Sequence, residues 1–324
     1  MGRSWLAWTG ERVNVEAGDD PLVSVVIPMY QAEAWIREAL ASVAMQTHAV
    51  HECIVVSDGS TDDGPDIVRD VQRGGSLPLR LVEIEHAGVS IARNTGINAA
   101  SGHYIALLDA DDVWTERKLE YQFETLARTG ATMCTTGYAL FDSETRKVLG
   151  VIVFRQADRA IRRWLALEGN GLLISSTAMF RRSEMEHLEG FDQRVSICED
   201  LEFTVRMQDV GTVVIDRRIL VGYRAHPGQA HRRLTGVAEN VAELYDLLPI
   251  ERFGLSFARR CRSNLDAHVG YSMLAGGHPV KASHRLALAL RRDPRRLMTL
   301  PANAFLRRVG RRLRAWFSTR TLWQ

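Results

Sequence analysis

Carboxylates gather at three places in this 324-residue chain. Asp58 stands in Ser57-Asp58-Gly59-Ser60-Thr61-Asp62-Asp63, a second group is Asp109-Ala110-Asp111-Asp112, and Glu199-Asp200 comes much later. If a fold brings these acids to one crevice, their charges repel unless a cation lies between them or one of them takes a proton. A divalent metal with oxygen ligands, carrying a phosphorylated substrate, is the economical chemistry. Asp109 and Asp111 alternate along a segment read as extended, which would turn both to the same side. Asp112, just before Trp114, reads equally as a helix cap. The patterns GxxxxGK[ST] and GxGxxG are absent, which argues against an NTPase and a dinucleotide dehydrogenase.

The elements that must position these acids follow from short β-branched runs separated by helical periodicity. Leu22–Ile27 reads as a strand buried on both faces and ended by Pro28. Ile36, Ala39, Leu40 and Val43 then recur at helical spacing. Cys53–Ser57 is a second strand, Gly64-Pro65 opens a helix with proline at a tolerated position, and Leu79–Glu85 is a third strand. Val89–Ala100 reads as a helix and His103–Asp109 as a fourth strand. Such alternation predicts a parallel sheet with right-handed crossovers, and ligands in such sheets bind beyond the carboxyl ends of the strands. The acids stand at those ends. Further on, Ser176–Phe180 reads as a strand and Arg182–Leu188 as a short helix. Glu199 and Asp200 open another helix, marked by Phe203, Met207 and Val210. Val213–Ile215 and Ile219–Tyr223 read as two strands, followed by Arg224-Ala225-His226-Pro227-Gly228. Beyond about residue 235 the pattern is purely helical.

Composition narrows the class. Hydrophobic residues make up 46% and charged residues 25%, an ordinary globular balance that excludes a disordered or fibrous chain. No apolar run approaches the length of a membrane span. No basic stretch followed by an apolar core opens the chain, so no export signal is expected. The four cysteines, Cys53, Cys134, Cys198 and Cys261, form no CxxC pair and are expected to be reduced, with no structural zinc site. Charge is segregated: residues 251–324 carry 16 Lys/Arg against three acids, whereas the other 250 residues carry 25 basic and 36 acidic side chains. A basic tail on an acidic body points to an anionic partner.

Four ordered blocks, VSVVIPMYQAEAWIREALASVAMQT, VVSDGSTDDG, HAGVSIARNTGINAASGHYIALLDADD and GFDQRVSICEDLEFTVRM, resemble glycosyltransferase family 2. The resemblance covers roughly residues 21–230. It implies an α/β fold of GT-A type, a single Rossmann-like domain with a mostly parallel central sheet. The organisation expected is a lead-in at 1–20, a glycosyltransferase domain at 21–230 and a helical extension at 235–324. Within the domain, a nucleotide-binding half would span about 21–112 and an acceptor half about 113–230. The resemblance further implies that Pro28, Tyr30 and Asp58 hold the nucleotide base. The family often has two acids before the Gly-Ser, and here the first of them is Ser57. It implies that Asp111 ligates Mg²⁺ or Mn²⁺, with Asp109 on ribose or the metal's water, and that Arg93 and Asn94 lie near the donor. Arg93 is read either as a phosphate partner or as an ion pair within the acidic cluster. Asp200 is the implied general base, with Glu199 supporting it or shaping the acceptor pocket, and His226 is a further candidate for the diphosphate or metal.

The expected activity is inverting, metal-dependent transfer of a sugar from a nucleoside diphosphate donor, expected to be UDP-linked, to a saccharide or lipid-linked acceptor of the cell envelope. The alternatives are a non-catalytic sugar-nucleotide-binding scaffold and a sugar nucleotidylyltransferase. The second would need a glycine-rich basic signature after the first strand, where Pro28-Met29-Tyr30-Gln31 stands instead. Residues 255–274 and 279–290 resemble the helical hairpins often appended to the family. At Asn303–Phe317, Phe305, Leu306, Val309, Leu313, Trp316 and Phe317 share one helical face, and Arg307, Arg308, Arg311, Arg312 and Arg314 the other. That pattern fits either an interfacial helix on anionic membrane or a helix docked on protein. The location expected is cytoplasmic, peripheral at the inner face of the membrane, with no nucleic-acid partner.

Overall fold

The computed structural model describes residues 5–6, 12–13, 21–168, 174–195, 198–226, 237–248, 250–275 and 277–294. The chain forms two compact units. One comprises Met1–Ile161 and Gly171–Thr235, the other Arg162–Asn170 and Gly236–Gln324.

The first unit is built on a nine-stranded sheet. Its strands are β1 (Val23–Met29), β2 (Glu52–Asp58), β3 (Leu79–Ile84), β4 (Tyr104–Leu107), β5 (Val113–Trp114), β6 (Met133–Asp142), β7 (Val148–Ile152), β8 (Met179–Arg181) and β9 (Val213–Ala225). The order is β3-β2-β1-β4-β8-β6-β9-β5, with β7 paired to β6. Strands β1 to β4 are mutually parallel, as are β6 and β9. Strand β8 is antiparallel to both β4 and β6, so β6 and β9 run the same way as β1 to β4. Six strands therefore share one direction, and their carboxyl ends meet at one edge. The lead-in carries its own small ribbon, Trp5–Leu6 paired antiparallel with Arg12–Val13.

Helices α1 (Ile36–Ala44), α2 (Gly64–Arg73) and α3 (Val89–Ala99) are the crossovers between β1, β2, β3 and β4. Ile36, Ala39, Leu40 and Val43 turn inward as their spacing predicts. Helix α3 lies close to the sheet at Gly96, where an added Cβ would sit 2.4 Å from Val26 Cγ1. The first strand does not end at Pro28. It runs to Met29, with Pro28 opposite Val56. The β1–β4 ladder stops at Val26, so a residue without an N–H is tolerated beyond it.

Other boundaries differ for reasons of local chemistry. Ser175–Thr177 form a 3₁₀ turn, and β8 begins only at Met179. The two strands expected at 213–215 and 219–223 are one, because the register shifts between Asp216 and Ile219 let the chain bulge and continue. Helices α4 (Lys118–Thr129) and α5 (Ala157–Leu165) and the β6–β7 hairpin fill the stretch between the fourth expected strand and the one expected at 176–180. The short helix α6 (Met185–Leu188) and α7 (Glu199–Val210) complete this part.

The second unit is helical: α8 (Val237–Leu247), a 3₁₀ turn at Ile250–Phe253, α9 (Leu255–Ala275) and α10 (Pro279–Arg292). Helices α9 and α10 pack as a hairpin. Asp266 is buried on α9 and is gripped by Arg285, at 2.9 Å, and by Arg292 of α10. Residues 303–317 lie outside the described residues. Cys53, Cys134 and Cys261 are buried free thiols, and Cys198 is a half-buried one. No helix among the described residues is long and apolar enough to cross a membrane.

Candidate active site

The carboxyl edge of the sheet brings the acid groups together around Arg93. This residue lies on α3 with its side chain 3% exposed. Its Nη2 donates to Asp109 Oδ1 at 2.8 Å and its Nη1 to Glu199 Oε1 at 2.7 Å, with Asp200 Oδ1 at 3.4 Å. The Phe191 ring lies 5.2 Å from the guanidinium carbon. One cation thus joins the acids after β4 to those opening α7. The structure places Arg93 inside the acidic cluster.

Two serines that sequence reasoning missed hold the same acids. The Ser175 N–H and Oγ donate to Asp200 at 3.1 and 2.9 Å. Ser176 Oγ donates to Asp112 Oδ2 at 2.6 Å and accepts the Asp109 N–H at 3.0 Å. A single 3₁₀ turn therefore fixes Asp200 on one side and the Asp109–Asp112 segment on the other. That segment is not extended. The Asp112 N–H bonds to Asp109 O at 3.0 Å, closing a turn in which Asp109 faces Arg93 and Asp111 faces elsewhere. Nor is Asp112 a helix cap. It is fully buried, and its second oxygen accepts the Arg224 N–H at 3.0 Å.

Arg224, also missed, braces the turn from outside. Its Nε donates to Asp111 O at 2.6 Å and its Nη2 to Glu38 at 2.7 Å, with Trp35 and Phe141 each 4.7 Å from its guanidinium carbon. Two residues on, His226 Nε2 lies 2.8 Å from Asp111 Oδ2. The Arg-Ala-His stretch was the available signal, since it follows a strand that ends at the same edge.

At the ends of β1 and β2, Tyr30 is half exposed and stacks on His86, with ring centroids 4.3 Å apart. Asp58 is buried, and its two oxygens accept the Ala87 and Gly88 N–H groups at 2.7 and 2.9 Å. His86 Nδ1 lies 3.0 Å from the same carboxylate, so Asp58 shapes the loop that carries Tyr30's stacking partner. Pro28 is buried in the sheet beneath this surface. Asn94 clamps the chain before α7: its amide exchanges bonds of 2.9 and 2.7 Å with the backbone of Phe191.

Crowding shifts these groups. Burial pushes the Asp200 carboxyl well above the usual carboxylate range; Glu199 adds to this and Arg93 opposes it. Asp109 is raised by burial against the pull of Arg93. Burial also raises Asp112 strongly, with Asp111 and Asp109 acting in the same sense. For Arg93, burial disfavours the charge, but Asp109, Asp200 and Glu199 outweigh it and hold the guanidinium protonated. A carboxyl that is more basic than usual, oriented by the N–H and hydroxyl of Ser175, can take a proton from a neighbouring hydroxyl.

The residues present fit a hard divalent cation. Asp111 and His226 converge, Asp109 stands on the same turn, and Asp112 is withdrawn by its bonds to Ser176 and Arg224. Among the described residues no group of three or more His, Cys, Asp or Glu is placed to hold a metal ion by itself. The Asp111–His226 pair leaves most coordination positions to diphosphate oxygens and water, as Mg²⁺ and Mn²⁺ commonly allow.

Comparison with known proteins bears on the family and the fold. Over 120 residues the chain is 38% identical to TuaG, a glycosyltransferase of Bacillus subtilis assigned to teichuronic acid biosynthesis; this covers 37% of this chain and 48% of TuaG. Over 128 residues it is 34% identical to WfgD of Escherichia coli, a UDP-Glc:alpha-D-GlcNAc-diphosphoundecaprenol beta-1,3-glucosyltransferase, covering 39% of this chain and 49% of WfgD. The matches thus span about half the length of these relatives. Among solved structures, residues 1–349 of TarS from S. aureus with UDP-GlcNAc align with a TM-score of 0.61 at 19% identity, over 83% of this chain and 79% of that one. The mannosyltransferase PcManGT from Pyrobaculum calidifontis, with GDP-Man and Mn²⁺, aligns at 0.60 and 20% identity, over 94% and 83%. At these identities the likeness establishes the fold, which is of the GT-A type. The family model for glycosyl transferase family 2 matches residues 24–188, half of the chain, and the chain belongs to that family.

Proposed function

We propose that this protein is an inverting, divalent-metal-dependent glycosyltransferase that moves a sugar from a nucleoside diphosphate donor, UDP-linked, to a hydroxyl of a cell-envelope or lipid-linked saccharide. The observation that carries this reading is the Arg93 bridge, which sets the Asp200 carboxylate beside the Asp109–Asp112 turn. Tyr30, with the loop held by Asp58, offers a stacking surface for the base at the neighbouring strand ends. Asp200 is the base. It takes the acceptor hydroxyl's proton as that oxygen bonds to the sugar C1 and the C1–O bond to the nucleoside diphosphate breaks. Inversion follows from attack opposite the leaving group. Glu199, tied to Arg93, lines the acceptor side. Asp111 and His226, with Asp109 beside them, would hold Mg²⁺ or Mn²⁺, which when bound neutralises charge on the leaving diphosphate.

TuaG, named for teichuronic acid, and WfgD, named for a sugar carried on diphosphoundecaprenol, support that class of acceptor. The anionic membrane surface expected for residues 303–317 stays part of this proposal. A cytoplasmic location at the inner membrane face accords with it.

Two variants test the assignment. Asp200→Asn keeps size and hydrogen bonding, so donor binding should persist while transfer slows about 10²–10⁴-fold, the usual worth of a general base. Asp111→Asn should weaken Mn²⁺-dependent binding of UDP in calorimetry. Transfer by Asp200→Asn at near the wild-type rate, or unchanged UDP affinity in Asp111→Asn, would sink the reading.

A further inference from the structure

Strand β7 is an exposed, uncharged sheet edge. Among the described residues it pairs only with β6. Ile152 and Phe154 pack inward on the core, whereas Leu149, Val151 and Val153 point out, 56%, 49% and 39% exposed, with Val148 at the strand's start 64% exposed. Protein edges are normally blunted by charge or proline, and contiguous exposed apolar surface marks an interaction site. From 148 to 154 this edge has neither device, but it is flanked by exposed Arg146, Lys147 and Arg155.

Charge decides the occupant. A second copy pairing antiparallel about the outward-facing Val151 would match Leu149 with Val153, keeping outward side chains on one face. The same register sets Lys147 of one copy against Arg155 of the other, and like charges directly opposite repel. An anionic lipid surface meets both features. Its phosphates take the flanking cations, and the boundary below the headgroups takes the apolar stripe. The edge is also tied to the candidate active site: Arg146 pairs with Glu38, Glu38 accepts from Arg224, and Arg224 braces Asp111.

We propose that the β6–β7 hairpin is a contact of the catalytic unit with anionic lipid, with Val148, Leu149, Val151 and Val153 entering the headgroup boundary and Lys147 and Arg155 on lipid phosphates. The contact is separate from residues 303–317. It rests on the transferase reading only in making the acceptor lipid-borne.

The test uses the full chain carrying an environment-sensitive fluorophore on Val151→Cys, with Gln72→Cys on exposed α2 as the control. On vesicles of phosphatidylglycerol and phosphatidylcholine, the label at 151 should shift to the blue and be quenched by lipid-borne quenchers, and the label at 72 should not. Phosphatidylcholine alone, or high salt, should abolish the shift. Adding Lys147→Glu and Arg155→Glu should raise the lipid needed at least tenfold, with melting temperatures unchanged within a few degrees. The proposal is overturned if the label at 151 stays in water while the chain sediments with vesicles, which would place the contact elsewhere. It is equally overturned if the chain ignores vesicles, or if the label is shielded without lipid in a species of dimer mass. Leu149→Asp with the label moved to Val153→Cys repeats the test should Val151→Cys fold poorly; loss of the shift supports the contact and its persistence overturns it. Metal-dependent turnover of UDP-sugar is measured in parallel. A missing lipid response with turnover intact sinks this contact alone, and absent turnover with the response intact sinks the transferase reading alone.

Discussion

Replacing Arg93 by methionine should cost more than any other single change at the candidate site. The guanidinium is 3% exposed and bridges three carboxylates contributed by two separate segments. Methionine fills similar space but leaves those acids without their cation. Removing one partner of a buried ion pair typically costs about 3–5 kcal/mol. Spread over a unit of this size, that corresponds to a fall in melting temperature of roughly 6–20 °C, at about 2–4 °C per kcal/mol. The loss should also depend on pH. Asp109 and Asp200 have folded values raised above the ordinary carboxylate range, so the folded state binds more protons than the unfolded one. Stability therefore declines as pH rises from the unfolded carboxylate value through the raised ones. Arg93 pulls both values down, so its removal steepens that decline: the destabilisation should be small near pH 5 and full near pH 8. Arg93→Lys, which keeps the charge without the two-pronged geometry, should fall between. Thermal melts in chelator across this range provide the assay. A loss under 1 kcal/mol at pH 8, or one that does not vary with pH, would refute the claim that Arg93 is what makes this cluster tolerable.

Two further changes probe the frame that carries the site. Gly96→Ala should gain about 1 kcal/mol of helix propensity yet lose about 1–3 from overpacking, because its Cβ would lie 2.4 Å from Val26 Cγ1, on a side chain stiff at χ1. Denaturant melts should show net destabilisation, with a favourable coupling to Val26→Ala; additive effects would argue that α3 can simply shift away. Lys118→Met should stabilise the protein by about 1–3 kcal/mol near neutral pH, since Lys118 is fully buried with an unpartnered Nζ over Trp114. Burial holds the folded amine well below its usual value, so the wild type loses stability as pH falls below the unfolded lysine value. The methionine advantage should accordingly be larger at pH 7 than at pH 10, and a constant or negative difference would contradict it.

What the sequence revealed and what it hid divide along a physical line. Strand ends that turn polar after β-branched runs announce a binding edge and made Asp58, Asp109 and Asp111 legible, whereas Glu199-Asp200 stood out as a pair of acids opening a helix. The stretch from 113 to 165 carries no expected element: the inner face of α4 mixes Leu119, Phe123 and Leu126 with buried Lys118, Gln122 and Thr125, which dilutes its apolar period. Ser175 and Ser176 were hidden differently. Their side chains bond to acids far away in sequence, and they take a turn where the apolar neighbours suggest a strand.

Arg93 and Arg224 show the same limit most sharply. A sequence displays their charge but not their burial, and burial is what turns a surface cation into a brace. Asp109, Asp111, Asp112, Glu199 and Asp200 would be a poor cluster alone, each raising the cost of ionising the next. With Arg93 between the two halves and Arg224 behind the turn, the acids keep fixed places while Asp200 stays more basic than an ordinary carboxylate. The groups proposed to meet substrate were therefore readable from type and position. The groups that make them usable had to be seen in contact, because their role is defined by neighbours 16 to 186 residues away in the chain.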